Sequence, residues 1–224
     1  MHGIFFDPPI ESNFLGHQMA EIYKDNLYRP FLMGKKELTI IDLGANVGLT
    51  SYYFSKFASK VYAIEPASEH FEALTKMIDF NNFKNIIPLK KAISIRNGTT
   101  QLFKNQTNMT SYSIDPIVNA HIEKQQWGKK PQETVECITL EKLFKDNEIK
   151  HCDFMKMDIE GSEAEILGHT SFRNLAPEID TIVLESHLWG NRHPNQVKEA
   201  LKNNGFEVSQ IQKELSSELL VARK

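Results

Sequence analysis

Cysteine, positive charge and long apolar runs are all scarce in this chain, and each scarcity removes a class of function. The two cysteines, Cys137 and Cys152, have neither metal-ligand spacing nor the density of a disulfide scaffold, so both are expected as reduced, buried thiols. Lysine and arginine number 26 against 29 acids, for a net charge of −3 and a pI near 6.3. Phosphate backbones select a basic excess, so nucleic acid is not an expected partner. No apolar run approaches the ~20 residues that cross a bilayer, and Asp7 and Glu11 stand where a secretion signal would be basic and then apolar. Neither a membrane partner nor export is indicated, and a cytoplasmic location is expected. No G-x-x-x-x-G-K-[ST] run occurs, which removes the P-loop nucleotidases.

What is present suits one α/β domain. With 224 residues, 41% hydrophobic and 25% charged, the chain is long enough for a sizeable core and unlike a disordered segment. A single domain over 1–224 is expected, with a helical segment in 1–36 and a polar insertion, 105–131, placed as a candidate substrate lid. Leu15, Met19, Ile22 and Tyr23 fall at helical spacing and Pro30 closes that segment. Then strands alternate with helices. Leu38 to Ile41, Phe154 to Met157 and Thr181 to Leu184 read as buried strands, and Lys60 to Ile64 and Ile86 to Leu89 as further strands. Shorter strands are expected at Ala92 to Ser94, Gly98 to Lys104 and Thr134 to Ile138. Thr139 should cap a helix, and Ser162 with Glu165 should form a capping box for another. The alternation implies a parallel sheet with helices on both faces, and Phe206 to Ile211 with Leu219 to Ala222 implies a C-terminal antiparallel hairpin.

In such sheets ligands bind at the carboxyl ends of the strands, and the tips here are all acidic: Asp42, Glu65, Asp158 and Glu185. After the first strand come Gly44, Ala45, Asn46, Val47 and Gly48, a turn in which glycine admits a close ligand approach. Glu65 follows Gly44 at the ~20-residue distance of an acid that accepts hydrogen bonds from a ribose. The spacing departs from G-x-G-x-x-G. Asp42 at the mouth of the loop would repel a pyrophosphate, whereas a sulfonium and an ammonium are attracted by carboxylates. S-adenosylmethionine is therefore favoured over a dinucleotide.

Ile41 to Gly48 (IDLGANVG), Glu65-Pro66, Asp158 to Glu163 (DIEGSE) and Glu185-Ser186-His187 together resemble the FkbM family of S-adenosylmethionine-dependent methyltransferases, from about Leu38 to His187. The resemblance implies a class I methyltransferase (Rossmann-like) fold with a mostly parallel seven-stranded sheet, and methyl transfer to a hydroxyl oxygen of a small molecule or saccharide, with S-adenosylhomocysteine as product. It puts the methionine end of the donor against Asp42, Gly44, Ala45, Asn46 and Gly48, the ribose on Glu65, the adenine near Ala92 and Ile93, and Asp158 beside the sulfonium. It also implies that Ser111, in the segment Thr110 to Ser113, touches donor or acceptor.

Methyl transfer from a sulfonium needs alignment and the removal of one proton. His187 is the first candidate base, because an imidazole with a pKa near ~6.5 accepts a proton at neutral pH, and Glu160 is the second. Glu185, His187, Trp189 and Ser111 are expected on the acceptor side. Asp158, Glu160, Glu185 and His187 would suit a hard divalent cation, but no metal is expected. His151, His169, His187 and His193 match no zinc-ligand spacing. The rival readings are an NAD-linked oxidoreductase and a non-catalytic, methyltransferase-like module that holds the nucleoside. The acceptor and the oligomeric state stay open.

Overall fold

The structure is a computed structural model that describes Phe6, Met19, Ala20, Ile22 and residues 26–104, 112–116, 120, 132–187, 195–213 and 217–224. Most of the expected leading helix and most of the insertion 105–131 lie outside the described residues. Pro30 opens a single helical turn, Arg29–Leu32, instead of closing a longer helix, as suits a residue without an N–H. By internal contacts the chain forms two compact units, Met1–Lys90 and Lys91–Lys224.

The first unit is two βα repeats and a closing strand. Strand β1 (Leu38–Leu43) leads into α1 (Leu49–Ser55), β2 (Ala58–Ile64) into α2 (Ser68–Asn81), and β3 (Ile86–Leu89) completes the unit. All three strands run parallel, with Ile40 opposite Val61 and Val61 in turn opposite Ile86. Ile40, Ile41 and Leu43 have no exposed surface, which stabilises the unit by about 1.5–3 kcal/mol per side chain. Helix α2 buries His70, Ala73, Leu74, Met77 and Ile78, the i, i+3, i+4, i+7, i+8 stripe of a helix packed on a sheet. From Pro66 the sequence predicts a helix with Phe71, Leu74, Met77 and Ile78 on one face; His70 takes the place of Phe71, which is only half-buried. The helix stops at Asn82, whose left-handed φ of 57° is followed by a bond from the Phe83 N–H to the Ile78 carbonyl.

The second unit contains β4 (Ala92–Ile93), β5 (Gly98–Phe103), β6 (Gln132–Ile138), α3 (Leu140–Asp146), β7 (Phe154–Met157), α4 (Glu163–Gly168), α5 (Thr170–Leu175), β8 (Thr181–His187), α6 (Asn195–Asn203), β9 (Glu207–Lys213) and β10 (Ser217–Arg223). Strand β8 runs parallel to β7, β10 antiparallel to β8, and β9 antiparallel to β10, so the expected hairpin is present. The main sheet has seven strands in the order β3-β2-β1-β7-β8-β10-β9. This is the class I methyltransferase arrangement.

Three local features differ from expectation. Strands β4, β6 and β5 form a separate three-stranded sheet, because β6 pairs with the other two and not with the main sheet. Strand β8 continues past Leu184 to His187, held by β10 through the pairing of His187 with Ser217. The capping box is absent: the Ser162 side chain makes no cap hydrogen bond, and Glu163 takes over the turn before α4. The Thr139 cap is present, with Oγ1 accepting from the Lys142 N–H at 3.2 Å.

Candidate active site

In the first unit, the loop after β1 and the tip of β2 are built as one piece. Gly44, Asn46 and Gly48 have φ of 78°, 50° and 92°, a left-handed run that turns the chain sharply into α1. Every amide from Gly44 to Gly48 donates within the chain. The N–H groups of Gly44 and Ala45 reach the Ile64 carbonyl at 3.0 and 2.9 Å, and that of Gly48 reaches the Ala45 carbonyl. The Asn46 N–H donates to Glu65 Oε2 at 2.9 Å and the Val47 N–H to Asn46 Oδ1 at 2.8 Å. A pyrophosphate loop works by aiming such amides at the phosphate. This loop has its amides committed, which fits a nucleoside ligand without phosphate and disfavours a dinucleotide.

The side chains around this loop divide into those that build it and those able to face a ligand. Asp42 is completely buried, with Oδ2 accepting from Thr50 Oγ1 at 2.7 Å and Ser51 Oγ at 2.6 Å, so it fastens β1 to α1. A Cβ on Gly48 would lie 2.5 Å from Met77 Cε and 2.7 Å from Leu74 Cδ1, so any side chain there displaces two residues of α2 and is strained at φ 92° as well. Ala45 is buried as well. Glu65 accepts the Asn46 N–H on one oxygen and the Ala67 N–H on the other at 2.9 Å, with His70 Nδ1 3.7 Å from Oε1. Each oxygen keeps acceptor capacity, as a pair of ribose hydroxyls requires.

In the second unit, four carboxyl groups and two basic groups gather after β7 and at the end of β8. Lys156 and Asp158, two residues apart, lie on one side of the chain, with Nζ and Oδ2 3.3 Å apart. Glu185 and His187 share a face of β8 for the same reason. His187 Nε2 is 3.4 Å from Glu160 Oε2 and 3.7 Å from Glu185 Oε1, and Nδ1 is 3.2 Å from Glu163 Oε1. Glu163 is 1% exposed. Burial pushes the Glu160 carboxyl up to about 8, and the neighbouring Asp158, Glu185 and Glu163 push the same way against His187. Burial and Asp158 likewise raise Glu185. Burial alone would lower His187, but Glu160 and Glu163 prevail and hold its pKa well above the usual imidazole value.

That shift favours the protonated imidazole, whereas a base at pH 7 is expected to start as the neutral ring. His187 sits among acids. The ligand atoms of Asp158, Glu185 and His187 lie within 4.8 Å of one another, a spacing that a shared cation could bridge. Both ring nitrogens of His187 also face carboxyl groups. Of the other histidines weighed for zinc, His151 pairs with Asp180 at 3.1 Å before β7 and β8 begin, His169 Nδ1 meets Ser171 Oγ at 2.8 Å, and His193 lies outside the described residues.

Among the remaining expected residues, Ala92 and Ile93 are buried, opposite Cys137 and Ile138 of β6. Ser111 and Trp189 lie outside the described residues. Ser113 is described and buried, and its Oγ donates to the Glu160 carbonyl at 2.6 Å. Ser113, Lys156 and Glu163 are the members of the cluster that sequence reasoning passed over. Glu163 sat inside the DIEGSE run, and a carboxylate directly after a glycine turn was the available signal.

The chain matches the model of the methyltransferase FkbM domain over residues 42–208. It is 23% identical over 223 residues to the methyltransferase sdnD of Sordaria araneosa, covering 89% of this chain and 84% of that one. To the hexuronic acid methyltransferase AglP of Haloferax volcanii it is 25% identical over 146 residues, 65% of this chain and 54% of that protein. Its fold resembles that of precorrin-6y C5,15-methyltransferase from Geobacter metallireducens, with a TM-score of 0.51 at 11% identity, covering 89% of this chain and 87% of the other. A glycine loop with no amide left for phosphate, an acid at the next strand tip and an acid–histidine cluster after β7 and β8 thus occur in a chain that belongs to the FkbM methyltransferase family.

Proposed function

We propose that the protein transfers a methyl group from S-adenosylmethionine to a hydroxyl oxygen of a small molecule or saccharide. The observation that carries this reading is the cluster of His187 with Glu160, Glu163 and Glu185, a set of coupled groups able to take up one proton. The donor, when bound, supplies an electrophilic methyl group on a sulfonium. Glu65 and the committed loop from Gly44 to Gly48 supply acceptors and a close-approach backbone for a nucleoside, and no cradle for a phosphate. This also sets aside the NAD-linked alternative.

The proton of the acceptor hydroxyl goes to a carboxylate of the cluster. Glu160 is the base in this reading. Its raised pKa makes its ionised form a stronger proton acceptor than an ordinary carboxylate, and His187 Nε2, 3.4 Å from Oε2, steadies the charge. His187 thereby moves from base to electrostatic partner. Glu185, on the same face of β8 as His187 and less buried, is placed to meet the acceptor.

The test is formation of S-adenosylhomocysteine from S-adenosylmethionine across a panel of neutral saccharides, hexuronic acids and hydroxylated small molecules. Turnover with at least one class, and its loss in Glu160→Gln with donor affinity kept, supports the assignment. Donor binding with no product on any acceptor would make the chain a binding module instead.

A further inference from the structure

The turn that carries Asp158 and Glu160 is held in an unfavourable backbone conformation. Glu160 has φ of 56° and Gly161 φ of 112°. The glycine tolerates this freely, whereas a left-handed glutamate costs about 1 kcal/mol and needs its surroundings to fix it. Two buried side chains do so from opposite sides. Glu163 Oε1 accepts the Gly161 N–H at 3.0 Å and the Ile159 N–H at 3.4 Å. Ser113 Oγ donates to the Glu160 carbonyl at 2.6 Å and accepts the Asp115 N–H at 3.0 Å. The same Glu163 oxygen also receives His187 Nδ1 at 3.2 Å. One atom therefore ties the turn bearing two acids to the imidazole on β8.

We propose that Glu163 is a positioning residue: it fixes the Asp158 to Gly161 turn and, by engaging Nδ1, directs Nε2 of His187 toward Glu160 and Glu185, with Ser113 closing the turn from the other side. A second carboxylate that orients a histidine through its far nitrogen sets which nitrogen carries the proton and where the ring points. Charge-assisted bonds to three N–H donors make a 1% exposed carboxylate tenable there. Neither Glu163 nor Ser113 touches the reacting atoms. The catalytic consequence rests on the methyltransfer reading above; the clamp itself does not.

The experiment is nuclear magnetic resonance of the full chain with labelled histidine, comparing wild type, Glu163→Ala, Glu163→Gln and Ser113→Ala, with the His187 signal assigned by its absence in His187→Gln. The wild type should show a slowly exchanging, downfield Nδ1 proton. Glu163→Ala should lose it, and Glu163→Gln, which keeps an acceptor oxygen without the charge, should retain it at a shifted position. Ser113→Ala should keep it while hydrogen exchange at Ile159 and Gly161 speeds up at least tenfold. With an acceptor that turns over, Glu163→Gln should lower kcat at least tenfold and leave the donor KM within about twofold. An unchanged imidazole signal in Glu163→Gln, or wild-type kcat in that variant, overturns the proposal even if Glu163→Ala fails to fold. S-adenosylhomocysteine titrated into the wild type separates the two claims: no binding there contradicts the methyltransfer reading and leaves the imidazole result to decide the clamp.

Discussion

At the scale of single residues, the two acids that look alike in the sequence have different work. Asp42 and Glu65 both end strands, yet Asp42 is sealed against Thr50 and Ser51 while Glu65 bridges Asn46 and Ala67 with acceptor capacity to spare. Gly48 illustrates the same division. Gly48→Ala would combine a left-handed φ of 92° with a Cβ 2.5 Å from Met77 Cε and 2.7 Å from Leu74 Cδ1. Because both neighbours are flexible side-chain ends, the expected loss is about 1–2 kcal/mol, read as a lower urea midpoint at unchanged slope.

Protonation in the second unit gives a prediction with a definite sign. Glu160 is raised from 4.5 to about 8 and His187 is raised as well, so the folded chain binds more protons than the unfolded one across this range. Where the folded state holds the extra proton, stability falls as pH rises. The melting temperature should therefore decline between about pH 5 and pH 8, and further as His187 loses its proton. Glu160→Gln should flatten the part below about pH 8. Turnover should run the other way, increasing as Glu160 ionises, so the pH of best activity lies on the descending side of the stability curve.

At the scale of elements, periodicity located most of the described fold and left out what long-range pairing decides. Strand β3 at Ile86–Leu89, the fully buried strand β7 at Phe154–Met157 and the Thr139 cap were legible, because short apolar runs and capping hydroxyls are local signals. The extension of β8 to His187 was not, since it depends on β10 pairing across it, nor was the separate sheet of β4, β6 and β5. Ser162 and Glu165 spelled a capping box, but the left-handed turn at Glu160 and Gly161 placed Glu163 where it could capture the amides first. Thr139→Ala should cost about 1 kcal/mol, measurable as a lower melting temperature, because the Lys142 amide loses its partner at the start of α3.

At the scale of the whole molecule, the strand order β3-β2-β1-β7-β8-β10-β9 and the FkbM match over residues 42–208 place the chain among methyltransferases, while the acceptor is set by details beyond the fold. Among the described residues no helix is long and apolar enough to cross a membrane. The candidate residues were legible as a list, strand tip by strand tip. Their chemistry was not: the rise in the His187 pKa comes from Glu160 and Glu163 in the segment after β7 meeting the end of β8, a long-range contact that no local pattern reveals.

Isothermal titration of the purified chain with S-adenosylmethionine and S-adenosylhomocysteine, with NAD as the control, decides whether the site takes a sulfur nucleoside. Micromolar binding of both sulfur nucleosides and none of NAD is expected, because the loop from Gly44 to Gly48 has no amide left for a pyrophosphate. Binding of NAD alone, or of none of the three, would contradict that expectation.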